Sequence, residues 1–396
     1  MKIAFLTAGG IAPCLSAAIG ALIEKYNTLA PDADMIGYLH GYRGLLLGKS
    51  IQFPESVKSR FDILYDFGGS PIGNSRVKLT NAADCEKRGY VQTGEDPLKV
   101  AATQLTRDKV DILHTIGGDD TNTMAARLSS YLKNNGYDLT VVGLPKTVDN
   151  DVFPITQTLG AWTAAEQGAV FFENIANENT TSTRQLIIHE IMGRNCGWLT
   201  AQTAYDYRER MKQRIFLPEL LVDQQRWDID AVYIPEKDFD FQTETDRLIK
   251  KMDEKDGVNI FLSEGAGLDT IVREMEAKSE NVPRDAFGHV RLDEINPGQW
   301  FAKQFATELN AEKVLVQKSG YFARSAKPNQ KDLELIKKSA FFGAEKALNK
   351  EGGVAGLDDE KNSELDLIDF HRIKGGKPFD ASINWFQSLL NDIGQQ

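Results

Sequence analysis

Two short stretches of the chain place closely spaced carboxylates directly after runs of β-branched residues. One contains Asp119 and Asp120 after Gly117-Gly118, and the other spans residues 145–151. Carboxylate oxygens bind Mg²⁺ or accept a proton, and adjacent glycines let the backbone approach a phosphate group closely. The two stretches therefore predict a site that handles a metal ion, a phosphate and a proton.

The residue types within these stretches suggest separate roles. Asp119 suits Mg²⁺, because proteins usually hold this cation with one or two carboxylates plus waters and substrate phosphates. Asp149 is the better candidate for a general base, and Asp151, two residues further along an extended segment, would face the same side and support it. Lys146 would stabilise the phosphoryl group during transfer. This combination is typical of phosphoryl transfer to a hydroxyl group.

Two further loops could hold a phosphate. Gly9-Gly10 follows a predicted strand at Lys2–Leu6 and precedes a predicted helix at Ser16–Tyr26, with Ser16 available as its N-cap. A tight turn without a ligand would explain these glycines equally well. Arg76 ends a glycine-containing loop and could clamp a phosphate with two hydrogen bonds, although a surface arginine is the simpler interpretation.

Structural interpretations compete with each functional one. Asp149-Asn150-Asp151 could form an Asx turn, Met192-Gly193-Arg194 a plain turn after a strand, and Tyr321 could be a core aromatic residue. The functional interpretation gains weight because these groups all follow predicted strands. Strand ends on one side of a parallel sheet converge, so ligands bind there.

Strands and helices alternate along the whole chain, which predicts an α/β fold with two Rossmann-like lobes, mainly parallel sheets and an active site in the cleft between them. The larger lobe is expected at residues 1–151, with about 323–375 returning to it, and the smaller lobe at 152–322 with the tail 376–396. The glycine-rich residues 352–356 are predicted to form a loop, and residues 273–288 a surface excursion.

Composition narrows the class of partner. The 396 residues are 41% hydrophobic and 26% charged, which is ordinary for a globular protein, and the net charge is −11. That charge disfavours nucleic acid and anionic membranes, so a small anionic substrate bound in a local cationic pocket is expected.

Three cysteines without C-x-x-C spacing argue against a disulfide framework or structural zinc. No apolar stretch is long enough to span a membrane, and a cytoplasmic location is expected.

The motifs together resemble the phosphofructokinases over nearly the full chain. The family patterns T-x-G-G-x-A-P, G-G-D-[GD]-[ST], P-[GK]-T-[IV]-D-N-D, M-G-R and S-E-G, with a final aromatic loop ending in Arg, match residues 7–13, 117–121, 145–151, 192–194, 263–265 and 321–324.

Two positions resemble the pyrophosphate-dependent branch of that family. ATP-dependent members have Gly where this chain has Asp120, and Gly where it has Lys146. A carboxylate about 4 Å from the α-phosphate of ATP would cost roughly 4 kcal/mol at an effective dielectric constant near 20, which is about three decades of discrimination. Pyrophosphate has no third phosphate, so it lacks the group that Asp120 would repel.

The resemblance implies reversible phosphorylation of fructose 6-phosphate at its 1-hydroxyl by pyrophosphate, in glycolysis or gluconeogenesis, by a homo-oligomer such as a dimer or tetramer. It implies Mg²⁺ as cofactor on Asp119, catalytic roles for Asp149, Lys146, Asp120 and Asp151, and pyrophosphate binding by Gly9, Gly10, Arg76 and Lys146. The sugar phosphate would contact Thr147, Val148, Asp149, Met192, Gly193, Arg194, Glu264, Tyr321, Phe322, Ala323, Arg324 and Arg184.

Two departures and two alternatives accompany this interpretation. Many ATP-dependent members have His where Tyr321 stands, and the arginine that usually reaches across a subunit interface has only a near equivalent in Arg184, one position off.

An ATP-dependent phosphofructokinase is one alternative function, disfavoured by Asp120. A catalytically silent sugar-phosphate-binding regulatory subunit is the other, disfavoured because Asp119, Lys146, Asp149 and Arg194 are all present.

Overall fold

The computed structural model describes residues 1–284 and 290–395. These residues form two compact units, each built from two chain segments. The first unit comprises Met1–Thr163 and Arg324–Lys377, and the second comprises Ala164–Ala323 and Pro378–Gln396. Residues 152–163 group with the first unit, where Val152 pairs with Gly375 and the Asp332 carboxylate accepts a hydrogen bond from the Thr163 amide.

The strands of the described residues, numbered in chain order, are β1 Lys2–Thr7, β2 Asp34–Tyr38, β3 Ser50–Gln52, β4 Ile112–Gly117, β5 Thr140–Pro145, β6 Val152–Phe153, β7 Gln185–Ile191, β8 Ala231–Tyr233, β9 Gly257–Ser263, β10 Lys313–Lys318, β11 Gly353–Asp358, β12 Glu364–Ile368 and β13 Lys374–Gly375.

The α-helices are α1 Leu15–Leu29, α2 Tyr42–Leu46, α3 Glu55–Lys58, α4 Ala82–Lys87, α5 Pro97–Asp108, α6 Asp119–Asn134, α7 Ala161–Ile175, α8 Trp198–Met211, α9 Gln224–Trp227, α10 Phe241–Lys255, α11 Leu268–Ala277, α12 Leu292–Ile295, α13 Pro297–Glu308, α14 Gly320–Ser325, α15 Gln330–Leu348 and α16 Asn384–Asp392. Strands and helices alternate, and the predicted α/β class is confirmed.

The first unit is organised around a sheet of order β12-β11-β5-β4-β1-β2-β3. The pairs β11–β5, β5–β4, β4–β1 and β1–β2 are parallel, and the edge strands β12 and β3 are antiparallel to their neighbours. Register pairs Thr7 with Ile116 and Gly117 with Pro145. The carboxyl ends of β1, β4 and β5 therefore meet at one edge, where open α/β sheets bind ligands.

The second unit contains a fully parallel sheet of order β10-β7-β9-β8. Register pairs Ile191 with Ser263 and Glu190 with Lys318. Strands β7 and β9 are buried along their whole length, as expected for a parallel sheet covered on both faces. The segments that follow β7, β9 and β10 consequently begin side by side.

Two local predictions are wrong. Residues 352–356 were expected to be a loop, but Gly353–Asp358 is strand β11, which pairs with β5 and β12. A Cβ at Gly356 would lie 3.0 Å from Ile155 Cδ1 and 3.2 Å from Pro145 Cγ. Glycine here serves close packing, which outweighs its low strand propensity.

The second wrong prediction is the N-cap of the first helix, because α1 begins at Leu15 with Cys14 as N-cap and Ser16 lies inside the helix. The expected surface excursion begins with the last residues of helix α11, which extends to Ala277, and none of residues 273–284 is buried. Residues 285–288 of that excursion lie outside the described residues. Across residues 1–284 and 290–395, no helix combines the length and apolar character that crossing a membrane requires.

Candidate active site

The ends of β1, β4 and β5 place three predicted segments in direct contact. The amide of Ala8 donates to the Ile116 carbonyl at 3.0 Å, and the amide of Lys146 donates to the Gly117 carbonyl at 2.9 Å. The Gly9-Gly10 loop, the Gly117-Gly118 turn and the 145–151 segment are thus neighbours at one edge of the sheet.

Lys146 is buried in this edge, with 5% of its surface exposed. Its Nζ donates a hydrogen bond to the Gly10 carbonyl at 2.8 Å. Burial lowers the pKa of Lys146, and the nearby charges of Arg324 and Arg76 lower it further, while Asp149 opposes them. The hydrogen bond therefore holds the lysine in place against the glycine loop.

Two arginines also approach Gly10. A Cβ at Gly10 would lie 3.0 Å from Arg324 Nη1 and 3.5 Å from Arg76 Nη2. Three cationic groups thus surround a backbone position that carries no side chain. This is the arrangement expected of a phosphate subsite, and it brings the predicted pyrophosphate residues together.

The glycine loop is tied to the loop that carries Arg76. Asn74 Nδ2 donates to the Gly9 carbonyl at 2.7 Å, and the Gly9 amide donates to the Ser75 carbonyl at 2.9 Å. Gly9 has φ +90°, a conformation that other residues rarely adopt. These bonds fix the backbone that Lys146 contacts.

The segment after β5 is shaped by hydrogen bonds of its own. Thr147 Oγ1 accepts a bond from the Asp149 amide at 3.1 Å and donates to Asp151 Oδ1 at 3.2 Å. Asn150, at φ +55°, accepts the Thr158 amide with its Oδ1 at 2.8 Å. The threonine thus fixes the positions of both aspartates, as expected for an Asx-rich turn. Such a turn does not exclude a catalytic role for Asp149, so the structural and the functional interpretation are compatible.

Asp119 and Asp120 lie in the first turn of helix α6 rather than in the predicted loop. Carboxylates at this position are stabilised by the positive end of the helix dipole. The Asp119 carboxylate packs against the backbone of Gly375, where a Cβ would overlap its Oδ2. Strand β13 therefore holds Asp119 in place from a distant part of the chain.

The carboxylates of Asp119 and Asp151 interact. Burial raises the pKa of Asp151, and the negative charge of Asp119 raises it further, while the bond from Thr147 lowers it. A divalent cation would relieve this repulsion. Among residues 1–284 and 290–395 no cluster of three or more His, Cys, Asp or Glu could form a metal site. One or two carboxylates is the usual protein contribution to Mg²⁺, so the residues fit this ion.

Asp120 has a partner that the sequence interpretation missed. Its Oδ2 lies 2.6 Å from Lys78 Nζ, and its side chain is 57% exposed. This lysine compensates part of the Asp120 charge, so the repulsion of a third phosphate should be weaker than an isolated carboxylate would give. The sequence signal that could have revealed this partner is a second cationic residue, Lys78, two positions after Arg76. Asn74 and Gly375 were also missed, and no local pattern marks them.

In the second unit, the segments after β7 and β9 interlock. Ser263 Oγ donates to the Gly193 carbonyl at 2.5 Å, and the Glu264 amide donates to the Ile191 carbonyl at 2.9 Å. Gly193 has φ +129°, and a Cβ at Gly265 would overlap the Arg194 carbonyl oxygen. The predicted residues Met192, Gly193, Arg194 and Glu264 are therefore brought together.

The segment after β10 joins this group. A Cβ at Gly320 would lie 3.1 Å from Met192 Sδ. Tyr321 is 80% exposed and Phe322 is also exposed, whereas Ala323 is buried. The core-aromatic interpretation of Tyr321 is therefore wrong. In the first unit Val148 is buried too, so its side chain serves packing.

Arg184 is not brought to this group. It directly precedes β7, whereas Met192 follows it, and seven strand residues span about 23 Å. Its guanidinium donates to Asp253 Oδ1 at 2.8 Å, the Leu309 carbonyl at 2.6 Å and the Asn310 carbonyl at 3.0 Å. These bonds hold it at the opposite end of the sheet.

Comparison with known proteins adds an independent finding. A family model described as Phosphofructokinase matches residues 2–345. The chain is 57% identical to a pyrophosphate--fructose 6-phosphate 1-phosphotransferase of Methylomonas methanica, covering 100% of this chain and 96% of that protein. It is 56% identical to a protein of the same name from Propionibacterium freudenreichii subsp. shermanii, covering 100% and 98%. A solved pyrophosphate-dependent phosphofructokinase from Marinobacter aquaeolei superposes with a TM-score of 0.70 at 17% identity, covering 100% of this chain and 92% of that one.

Proposed function

Because the chain belongs to the phosphofructokinase family, we propose that it transfers a phosphoryl group from inorganic pyrophosphate to the 1-hydroxyl of fructose 6-phosphate, reversibly. Support for the donor comes from the buried Lys146 Nζ, 2.8 Å from the Gly10 carbonyl. Lysine replaces the glycine of ATP-dependent members at this position. The relatives that share more than half of their residues with this chain over its full length are named for pyrophosphate.

The pyrophosphate is proposed to bind at the Gly9-Gly10 loop. Lys146 and Arg76 supply positive charge there, and Arg324 approaches the same backbone position. From the sequence, Arg324 was expected to bind the sugar phosphate. The proposal gives it an additional role beside the pyrophosphate. Cations held in a desolvated site stabilise charge on a transferring phosphoryl group without reorganising.

Asp149 is proposed to accept the proton of the 1-hydroxyl. The hydroxyl oxygen forms a bond to one phosphorus of pyrophosphate as the bridging P–O bond breaks, and inorganic phosphate leaves. Thr147 positions the base through the Asp149 amide, and Asp151 adds negative charge beside it. Since a phosphoanhydride and a phosphoester are exchanged, the same groups serve the reverse reaction.

Mg²⁺ is the proposed cofactor, held by Asp119 with Asp151 nearby. When bound, it would neutralise negative charge on the phosphates. The helix dipole at the start of α6 and the Gly375 backbone fix the Asp119 carboxylate for this purpose. Metal-bound carboxylates need such support to keep their orientation.

Fructose 6-phosphate is proposed to contact the group at the ends of β7, β9 and β10, with Arg194 as phosphate ligand and Glu264 as ligand of the sugar hydroxyls. Tyr321 and Phe322 are exposed there. The guanidinium of Arg184 is engaged at the other end of β7, so the proposal gives it no role in this group. We also place the reaction in the cytoplasm, in glycolysis or gluconeogenesis. The three free, buried cysteines suit a reducing compartment.

The test compares pyrophosphate with ATP as donor to fructose 6-phosphate, at equal concentration and with Mg²⁺. We expect fructose 1,6-bisphosphate to form with a much higher kcat/KM for pyrophosphate. A preference for ATP would overturn the donor assignment and leave family membership intact. Calorimetric binding of fructose 6-phosphate without turnover on either donor would instead favour a regulatory subunit.

A further inference from the structure

A carboxylate without a part in the proposed reaction closes the segment that follows strand β7. We call residues 192–197 the Arg194 loop, because they join the end of β7 to helix α8 and include the proposed ligand of the sugar phosphate. Glu236 follows strand β8, and its Oε1 and Oε2 accept the Gly197 amide at 2.9 and 3.0 Å. Since Gly197 is the N-cap of α8, Glu236 fixes the point where the Arg194 loop ends.

The same carboxylate binds a second backbone amide. Oε1 of Glu236 also accepts the Phe379 amide at 2.8 Å. The buried Phe379 ring packs against Trp385 and Phe386, with ring centroids 5.7 and 5.3 Å apart. Hydrogen bonds to an ionised carboxylate are stronger than those between neutral groups. Glu236 is therefore held on one side by a packed aromatic cluster, and it can hold the Arg194 loop on the other.

The contact at Gly197 requires glycine. A Cβ there would lie 2.6 Å from Glu236 Oε2 and 2.5 Å from Ile234 Cβ, so a side chain would push the carboxylate away. Within a capping box, a glutamate of the helix itself accepts the N-cap amide. Here the carboxylate comes from a different strand connection and lies at the helix end where the dipole favours negative charge. Glu236 therefore links the segment after β8 to the start of α8.

Close backbone contacts connect Gly197 to Arg194. The loop turns back on itself, because a Cβ at Gly193 would overlap the carbonyl oxygen of Cys196, the residue before Gly197. The Arg194 carbonyl oxygen in turn lies against Gly265, where a Cβ would overlap it. Arg194 is thus held from the β9 side through Gly265 and from the β8 side through Gly197. A displacement of Gly197 would reach Gly193 and Arg194 through these contacts, since packed backbone has no room to absorb it.

We propose that Glu236 is a positioning residue for the sugar substrate: its carboxylate holds the Arg194 loop in the geometry that binds fructose 6-phosphate. The inference rests on the proposed function for the identity of that ligand, and it is independent of the donor. An arginine clamps a phosphate through two parallel hydrogen bonds, so the backbone that carries it must be fixed. Loss of Glu236 should therefore weaken fructose 6-phosphate binding more than it slows turnover at saturating sugar.

The experiment measures the Kd of the full-length chain for fructose 6-phosphate by calorimetry without donor, and then kcat and both KM values with pyrophosphate and Mg²⁺. Glu236→Met removes both acceptor oxygens and keeps the length of the side chain. We expect it to raise Kd and KM for fructose 6-phosphate about tenfold. The KM for pyrophosphate and kcat should change by less than about threefold. Glu236→Gln should recover most of the affinity, because its carbonyl oxygen can still accept both amides.

Asp240→Ala is the control for general destabilisation. Asp240 is an exposed carboxylate of the same unit that caps helix α10 by accepting the Thr243 amide at 2.8 Å. Its loss should lower the thermal unfolding midpoint but leave the Kd for fructose 6-phosphate unchanged. Unchanged affinity in Glu236→Met, an equal loss in Glu236→Gln, or an equal loss in Asp240→Ala would overturn the positioning role. A preference for ATP would overturn only the donor assignment, because the sugar affinity is measured without donor.

Discussion

The proposed chemistry depends on individual side chains at the end of β5. Thr147 holds Asp149 through its backbone amide and Asp151 through its carboxylate. Replacing the Asp149 side chain therefore removes the proposed base while these bonds stay in place. We expect Asp149→Ser to lower kcat with pyrophosphate by about 10²- to 10⁴-fold, the usual contribution of a general base. Asp138→Ser serves as control, because Asp138 is exposed and pairs with Lys350 at 3.0 Å. Near-normal turnover of Asp149→Ser would rule out its assignment as base.

A second prediction at this scale concerns Asp120. Its contact with Lys78 offsets part of its charge, so we expect Asp120→Gly to raise kcat/KM for ATP by about tenfold, less than the three decades of an isolated carboxylate. Lys78→Met should change ATP use in the opposite direction, because it leaves Asp120 uncompensated. Steady-state kinetics with both donors would show this. Equal ATP use by all three proteins would remove Asp120 from donor selection.

At the scale of elements, helix α6 and strand β13 together position Asp119. A Cβ at Gly375 would overlap Asp119 Oδ2, whereas a Cβ at Gly376 would meet no atom within 4 Å. We expect Gly375→Ala to weaken Mg²⁺ activation by roughly 10- to 100-fold, as loss of support for a metal ligand does. The measurement is activity against Mg²⁺ concentration, together with Mg²⁺ binding by calorimetry.

Gly376→Ala is the matched control for this prediction. Gly376 has φ +78°, so alanine there should lower the unfolding free energy by about 1 kcal/mol while the Mg²⁺ dependence stays unchanged. If both variants altered Mg²⁺ activation alike, the effect would come from general destabilisation of the strand, and the role of Gly375 would be refuted.

At the scale of the whole molecule, the first unit depends on a distant chain segment that returns to its sheet. Asp358 at the end of β11 is fully buried and accepts two bonds from Arg372, at 2.7 and 2.8 Å. We expect Arg372→Met to lower the unfolding free energy by about 2 kcal/mol, because a buried carboxylate loses its partner. Lys361→Met, which removes an exposed pair with Asp366, should cost less than about 1 kcal/mol.

The unfolding free energy lost in Arg372→Met should depend on pH in a defined direction. The bonds from Arg372 hold the pKa of Asp358 below its ordinary value. A depressed carboxyl pKa stabilises the folded state above the unfolded pKa of about 3.9, and this stabilisation is lost as pH falls through the folded pKa. The difference between natural protein and Arg372→Met in guanidinium unfolding should be full at pH 7 and shrink below about pH 4. A difference that grows in acid would contradict this assignment.

The sequence by itself determined the α/β class, most strands and the identity of the phosphate and carboxylate motifs. Those features depend on short runs of β-branched residues and on glycine spacing, which are local properties of the chain. The repeated order of strand, loop and helix along the chain also placed Lys146, Asp149 and Arg194 at strand ends, and no distant contact was needed to infer that.

Only the tertiary structure decided the rest. It showed that Asp119 begins helix α6 and rests on Gly375, that Lys78 pairs with Asp120, and that Arg184 sits at the far end of β7. It also showed that the glycine run at 353–356 belongs to strand β11, between β5 and the edge strand β12. Each of these outcomes depends on packing between residues that are remote in sequence, and such packing overrides local propensity and leaves no periodic pattern by which it could be predicted.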